Sequence, residues 1–536
     1  MSTLPYGSWP SPISASDIAG GSPRLDGARF VGPDAEIWWS ESVPAERGRT
    51  TVMRRDGDGA ESLLPAPWSA RSRVHEYGGG AWTTTDEGLL LFVEAADQRV
   101  YRMSLGGAPA PLTPGGLGMA FGDLTWAEGR LWAVRETQGD ARVPTRDIVI
   151  IPLDGSAADD PSAIRSVVSG SDFLSYPAPR GDRLAWIAWN HPDMPWDAAE
   201  LRVGRIGPDD TVTEHAVVAG GRTADGPVAA LQPEWTGDDE LLFSADPVAD
   251  GPGDGRWNLH ALQLDQLTVS RAERLHAVDA DTGGPLWNLG ARWFAPLDDG
   301  RILAVRTHGT DTLMVLDPAS GAADLWETAL SGGILVRDVR GARVLLTGAG
   351  ARVPGGLWLL DVDARTIEAV RGGASALDPV WLPPSRALTF DGPDGEVHAF
   401  AYPPTNPEVD LPERELPPYL VLVHGGPTAH SSGVLSLAVA FFTSRGIGVL
   451  DVNYGGSTGY GRAYRERLQG RWGVADVADT AAAARGLARA GLADPARIAI
   501  KGGSAGGWTV LCAVADTDAF AAGISRYGVA DLRRLA

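Results

Sequence analysis

The chain has 536 residues, too many for one ordinary hydrophobic core, so at least two domains are expected. Its formal charge of −22 speaks against nucleic acid and against anionic membrane surfaces as partners. Cys512 is the only cysteine, which rules out an intrachain disulfide and suggests a buried structural thiol.

The opening stretch MSTLPYGSWPSPISASD has neither a basic segment nor an apolar run, so it does not read as a signal peptide. No stretch of the sequence approaches eighteen apolar residues, the length of a membrane span. A cytoplasmic location is the expectation. Residues 1–29 are expected to form an extension that packs on the C-terminal domain.

Residues 30–377 carry a loose repeat. GDLTWAEGRLWAVRE, LQPEWTGDDELLFSAD and ARWFAPLDDGRILAVRT each give an apolar strand, a turn rich in Asp and Gly, and a second strand, with a third after a loop. The alternation within each unit has the period of a strand. About seven such units of about fifty residues fit the blades of a β-propeller. The 19 Trp and 68 Gly suit such a fold, because large rings fill gaps between sheets and glycine supplies turns. A β-sandwich array is the competing arrangement; the count of seven and the Trp before each turn favour the propeller.

From residue 378 to 536 the texture changes to that of an α/β domain. A hairpin and a Pro- and acid-rich link come first. Apolar runs bounded by glycine follow at Leu420–Val423, Ile447–Val452, Ile498–Ile500 and Gly523–Ser525. Continuous apolar strands fit a parallel sheet covered on both faces. Val474, Val477, Ala481, Ala484 and Leu487 recur at helical spacing between two of them, and Asp494-Pro495 ends that segment.

Gly502-Gly503-Ser504-Ala505-Gly506 fits G-x-S-x-G between a strand and an apolar helix, the setting of a nucleophile elbow. Small residues two positions either side of Ser504 let strand and helix pack closely. The Ala505 N–H then points toward the space above the serine and is a candidate oxyanion donor. A Gly-rich phosphate loop is the rival reading, but no lysine follows the glycines. The second donor is expected from His424-Gly425-Gly426-Pro427, where glycine lets backbone approach a substrate; Gly426 is favoured and Gly425 is the alternative. His424 and His430 precede the elbow and are expected to be structural. NYGGSTGYGRAYRE, from Asn453 to Glu466, reads as a Gly-rich loop leading into a helix.

HGGP, then N-Y-x-G-S-T-G-Y-G-R-x-Y, then W-G-x-x-D-x-x-D from Trp472 to Asp479, then G-G-S-A-G-G, all behind a propeller, resembles the prolyl oligopeptidase family of serine peptidases. The likeness is to its acylaminoacyl-peptidase and dipeptidyl-aminopeptidase branch, and PYGSWPSPI and RVHEYGGGAW extend it to the bacterial members. It covers essentially the whole chain. One departure is Gly455, where relatives usually carry arginine, so a charge that braces the loop is absent. The resemblance implies a propeller capping an α/β-hydrolase domain, of which residues 378–536 form an incomplete, N-terminal part, with the active site between propeller and hydrolase. It implies Ser504 as nucleophile and Ala505 with Gly426 as oxyanion hole. Val529 and Leu532 are candidate walls of the pocket for the residue before the scissile bond. Glu76, in HEYGGG, is a candidate partner for a substrate's free α-amine, since a buried ammonium must be paired; the alternative is a turn residue beside glycines needed for packing. Substrates would be short peptides or small amides and esters, with no metal or cofactor. Oligomeric state is not specified.

The triad acid and histidine should follow the serine in this fold. Only 32 residues follow Ser504; none is histidine, and Asp516, Asp518 and Asp531 lie too close to the elbow. The expectation is a sequence truncated at its C-terminus, so that this chain alone is close to inactive. A degenerate pseudoenzyme and completion by a second polypeptide are the alternatives. Two other functions stay open: an esterase or amidase of small acyl compounds, and a non-catalytic propeller scaffold that binds partners.

Overall fold

The structure is a computed structural model that describes residues 2–19, 23–57, 59–139, 143–248, 253–374, 377–410, 412, 415–531 and 533. Seven sheets follow one another from Leu25 to Gly372 and form a seven-bladed propeller. Blade 1 is built from Leu25–Val31, Glu36–Val43, Arg49–Asp56 and Gly59–Ser62. Its first strand therefore starts within the stretch expected to be an extension. Blade 7 ends the series with Gly332–Arg340, Arg343–Ala349, Gly356–Asp361 and Thr366–Gly372. The blades have four strands rather than the three read from the sequence, and one has a fifth. The fourth is the outermost and is mostly exposed, as in Gly59–Ser62 and Thr268–Arg274, so it lacks the apolar alternation that marks the others.

The innermost strands share a device. Each of several carries a bulge at a left-handed residue, such as Asp123, Tyr176 and Gln232. The bulge turns a polar side chain toward the next blade: Asp123 accepts the Tyr176 amide at 2.6 Å and Gln232 the Trp293 amide at 2.7 Å. The ring closes in the same way, without a shared strand. Asp338 of blade 7 accepts the Phe30 amide of blade 1 at 2.7 Å, and Arg371 grips Glu41 through two bonds of 2.8 and 2.9 Å. Ala28, Ile37 and Trp39 pack there on Leu345 and Leu357.

The C-terminal sheet contains β1 (Arg386–Gly392), β2 (Gly395–Tyr402), β3 (Tyr419–Val423), β4 (Gly448–Asn453), β5 (Ile498–Gly503) and β6 (Ala522–Arg526). Their spatial order is β1-β2-β4-β3-β5-β6, with β3, β4, β5 and β6 parallel. The helices are α1 (Leu437–Thr443), α2 (Arg462–Glu466), α3 (Ala475–Arg489) and α4 (Ala505–Asp516). Val421, Val423, Leu450, Val452 and Ile500 fill the core between sheet and helices. Val474, expected within a helix, instead precedes α3 and is 60% exposed. The helix ends at Arg489, before Asp494, whose carboxylate caps a separate 3₁₀ turn.

The N-terminal segment packs on this part of the molecule. Ser2–Thr3 pairs with Val409–Asp410, and Trp9 is buried over Gly446, where a side chain would collide with its ring. Among the described residues no helix is long and apolar enough to cross a membrane.

Candidate active site

Ser504 sits between β5 and α4 at φ 55° and ψ −123°, a backbone conformation that costs an L-residue energy and persists only where its surroundings impose it. The surroundings are backbone. A side chain at Gly502 would lie 2.4 Å from the Gly506 carbonyl oxygen, and one at Gly506 would lie 2.4 Å from that of Val423. The Ser504 amide donates to Arg526 O at 3.1 Å, and Ser504 O accepts from the amides of Gly507 (3.0 Å) and Val529 (3.2 Å). The serine backbone is therefore held on both sides while its hydroxyl, among the described residues, has no hydrogen-bond partner.

The Ala505 amide, in the first turn of α4, is likewise unpaired among the described residues, as are those of Gly425 and Gly426. A Cβ built on Gly425 would lie 3.4 Å from that of Ser504, so the loop after β3 runs directly against the elbow. Gly426 has φ 121°, which excludes most side chains. The elbow and the HGGP loop thus meet. Val529 is half-buried beside Ser504; Leu532 lies outside the described residues. Asp518 pairs with Arg485 at 2.6 Å and Asp516 closes α4; neither bonds the serine. Cys512, expected to be buried, is half-buried, and desolvation aided by Asp476 and Asp516 pushes its thiol pKa up.

His424 is engaged elsewhere. One ring nitrogen lies 2.9 Å from Gly425 O and the other 2.8 Å from Ser457 Oγ, and the ring stacks on Tyr454. Burial pushes its pKa down to about 4, so it is neutral at physiological pH. His430 Nδ1 lies 2.8 Å from Thr458 Oγ1, and burial lowers its pKa too.

The WGVADVAD segment fixes the elbow from below. Asp476 accepts from the Gly473 amide and from Thr509 Oγ1 on α4, and Asp479 accepts from the Gly455 amide at 2.8 Å. Burial raises the pKa of both carboxyls. The other Asp479 oxygen is buried and, among the described residues, has no partner.

The loop and helix of GYGRAYRE proved to be more than a connector. They dock into the propeller. Arg462 and Arg465 of α2 converge on Asp246 at 2.7 and 2.6 Å, and all three side chains are nearly or fully buried. The Arg462 amide donates to Gly255 O at 2.8 Å, and the Gly309 amide to Gly459 O at 3.1 Å. Burial opposes the charge on Arg462, but the Asp246 carboxylate outweighs it and raises the guanidinium pKa. Arg256 adds a second buried contact to Asp281 at 3.2 Å within the propeller face. These charges give no local signal in sequence, since their partners lie far along the chain.

Glu76 lies on the propeller loop 73–80, exposed and left-handed at φ 68°, and among the described residues no ion pair engages it. Its neighbour Tyr77 packs edge-on against Trp287, whose indole donates to Thr428 O at 2.7 Å. That bond ties the propeller to the loop carrying Gly425 and Gly426.

A family model described as "Prolyl oligopeptidase family" matches residues 434–536. The chain is similar to a puromycin-hydrolysing peptidase of Mycobacterium tuberculosis, with 43% identity, a TM-score of 0.92, and coverage of 100% of this chain and 81% of that one. It is also similar to a puromycin hydrolase, at 41% identity and a TM-score of 0.91, over 99% of this chain and 82% of that one. Among curated relatives, the acylamino-acid-releasing enzyme of Arabidopsis thaliana is 40% identical over 91 residues, which is 17% of this chain and only 12% of the length of that relative.

Proposed function

The chain belongs to the prolyl oligopeptidase family, and from that premise we propose that it acts on short peptides and small amides through an acyl-enzyme on Ser504. The observation that carries the reading is the elbow: a strained serine with its hydroxyl free, beside the unpaired amides of Ala505, Gly425 and Gly426. Attack by Ser504 Oγ on the substrate carbonyl would place negative charge on its oxygen. Fixed amide donors stabilise such charge without reorganising, which is worth roughly 3–4 kcal/mol per donor removed in comparable sites. Ala505 supplies one donor in this reading and Gly426 the other, with Gly425 the alternative. Residues 1–24 and 378–536 work as the catalytic part in this reading, and 25–377 as the propeller that covers it. Val529 walls the pocket, and Glu76 receives a free α-amine.

None of the nine histidines bonds the Ser504 hydroxyl among the described residues. A serine without an imidazole partner is a poor nucleophile. The polypeptide 1–536 by itself is therefore expected to turn over slowly, near the roughly 10³–10⁴-fold enhancement over water that binding and oxyanion donors leave behind.

The test is a panel of aminoacyl anilides, puromycin and simple esters, run on the protein and on Ser504→Ala. Mass spectrometry would look for an acyl adduct on the peptide containing Ser504. An acyl adduct on Ser504 that is lost in Ser504→Ala supports the reading; no adduct at Ser504 in the protein, or an adduct that persists in the variant, overturns it.

A further inference from the structure

Two loops cross the mouth of the propeller channel on the face turned toward the hydrolase sheet. Residues 73–80 lead into blade 2 and residues 285–290 into blade 6, and they meet in a parallel bridge between Gly79 and Leu289. The Leu289 amide donates to Gly78 O at 2.8 Å, and the Asp123 and Leu124 amides of blade 3 donate to Gly79 O and Gly80 O at 3.1 and 2.8 Å. There is no room for side chains at the crossing. A Cβ at Gly78 would lie 2.2 Å from Ser72 O, one at Gly79 2.3 Å from Leu289 O, and one at Gly80 2.5 Å from Asp123 Cα. This accounts for the three glycines of HEYGGG, and it makes the crossing a rigid platform. Beneath it lies a channel of about 1330 Å³ that includes Arg29, Arg292, Glu234 and Asp338.

Two aromatic side chains stand on the platform. Trp287 is fixed from both sides: its indole N–H bonds Thr428 O at 2.7 Å, and its ring packs on Trp196 with centroids 4.6 Å apart. Tyr77 leans edge-on against Trp287 at 5.1 Å and is otherwise open, 60% exposed. Contacts therefore run from Tyr77 through Trp287 to Thr428, and along that loop to Gly425, which abuts Ser504. A large ring held open on rigid backbone offers apolar contact area at little further cost in order.

We propose that Tyr77, braced by Trp287, is a specificity-determining residue whose open ring face packs against an apolar side chain of the peptide bound at Ser504. This rests on the peptidase reading above. Tyr77 also borders the channel, which is charged deeper in at Arg29, Arg292, Glu234 and Asp338, and its ring meets Trp287 on the side of the HGGP loop.

The test measures binding rather than turnover, in protein carrying Ser504→Ala so that nothing is cleaved. Calorimetric titration compares Phe-Ala-amide with Gly-Ala-amide. Tyr77→Ala is expected to weaken the phenylalanyl ligand roughly tenfold and the glycyl ligand less than about twofold. Tyr77→Phe keeps the ring and should retain the preference, and Trp287→Phe, which loses the bond to Thr428, should lower it partly. Equal weakening of both ligands by Tyr77→Ala, or an unchanged preference, overturns the role of Tyr77 while leaving the peptidase reading standing. Failure of either ligand to bind overturns that reading and the proposal together.

Discussion

Asp246→Ala should loosen the seam between the two halves of the molecule. In the intact protein Asp246 takes Arg462 at 2.7 Å and Arg465 at 2.6 Å, and also the Ala229 amide at 2.7 Å. The substitution leaves two guanidiniums in a site where their side chains are only 2% and 3% exposed. Removing one partner of a buried pair costs about 3–5 kcal/mol, because the remaining charge is neither solvated nor paired. Arg462 would keep Glu466 at 3.0 Å and Arg465 would keep the Trp257 ring at 4.2 Å, so the lower end, about 3 kcal/mol, is the expectation. A chain with several cores does not unfold in one step, so a local measurement is the right one. The Arg462 amide, which donates to Gly255 O across the seam, should exchange its hydrogen roughly a hundredfold faster in Asp246→Ala. Exchange accelerated less than about fivefold would refute the reasoning, since it would mean the seam does not depend on this charge cluster. Replacing all three residues by apolar ones of similar size should restore much of the protection.

The pH dependence of stability should carry a signature of His424, whose pKa burial pushes down to about 4. The unfolded chain, with a pKa of about 6.5, takes up the proton first as pH falls, so stability is lost between about pH 6.5 and 4, by about 3 kcal/mol. His424→Gln should flatten the plot of urea midpoint against pH in that window, and an equal slope in both proteins would count against a buried neutral imidazole. At the crossing loops, Gly79→Ala should destabilise the propeller by more than about 4 kcal/mol or prevent folding. Gly32→Ala, also left-handed at φ 67° but with open space around it, should cost only about 1 kcal/mol. Urea titration of the two variants side by side checks the difference.

The elbow was legible because its constraints are local. Gly502 and Gly506 must be small for β5 and α4 to pack, and both flank Ser504 in sequence. The propeller was legible through the recurring Trp before an Asp/Gly turn, but its fourth strands were not, because an exposed edge strand such as Gly59–Ser62 has no apolar face to show. The docking cluster was hidden for a different reason. Arg462 and Asp246 are 216 residues apart, and two arginines in a short helix look like a solvated surface until the partner is in view. HEYGGG falls between these cases: its glycines announced a close approach, but the backbone that approaches, Leu289, cannot be read from them.

The propeller holds the hydrolase part by the same loops that line the serine. Trp287 bonds Thr428, two residues beyond Gly426; Gly309 bonds Gly459, two residues beyond Ser457, which in turn holds His424 beside Gly425. A shift of one half against the other must therefore move the candidate oxyanion donors, while the α2 cluster at Asp246 reaches them only indirectly, through Arg465, the Trp196 carbonyl oxygen and the Trp287 ring. The two kinds of contact are separable by substitution. Asp246→Ala weakens docking and leaves the Trp287–Thr428 bond in place, so it should change exchange at the seam more than ligand preference. Trp287→Phe removes the bond at the loop and leaves the ion cluster, so it should do the reverse. If Trp287→Phe instead matched Asp246→Ala in exchange and left preference untouched, the bond to Thr428 would be a fastener only, and the platform would have no part in choosing the substrate.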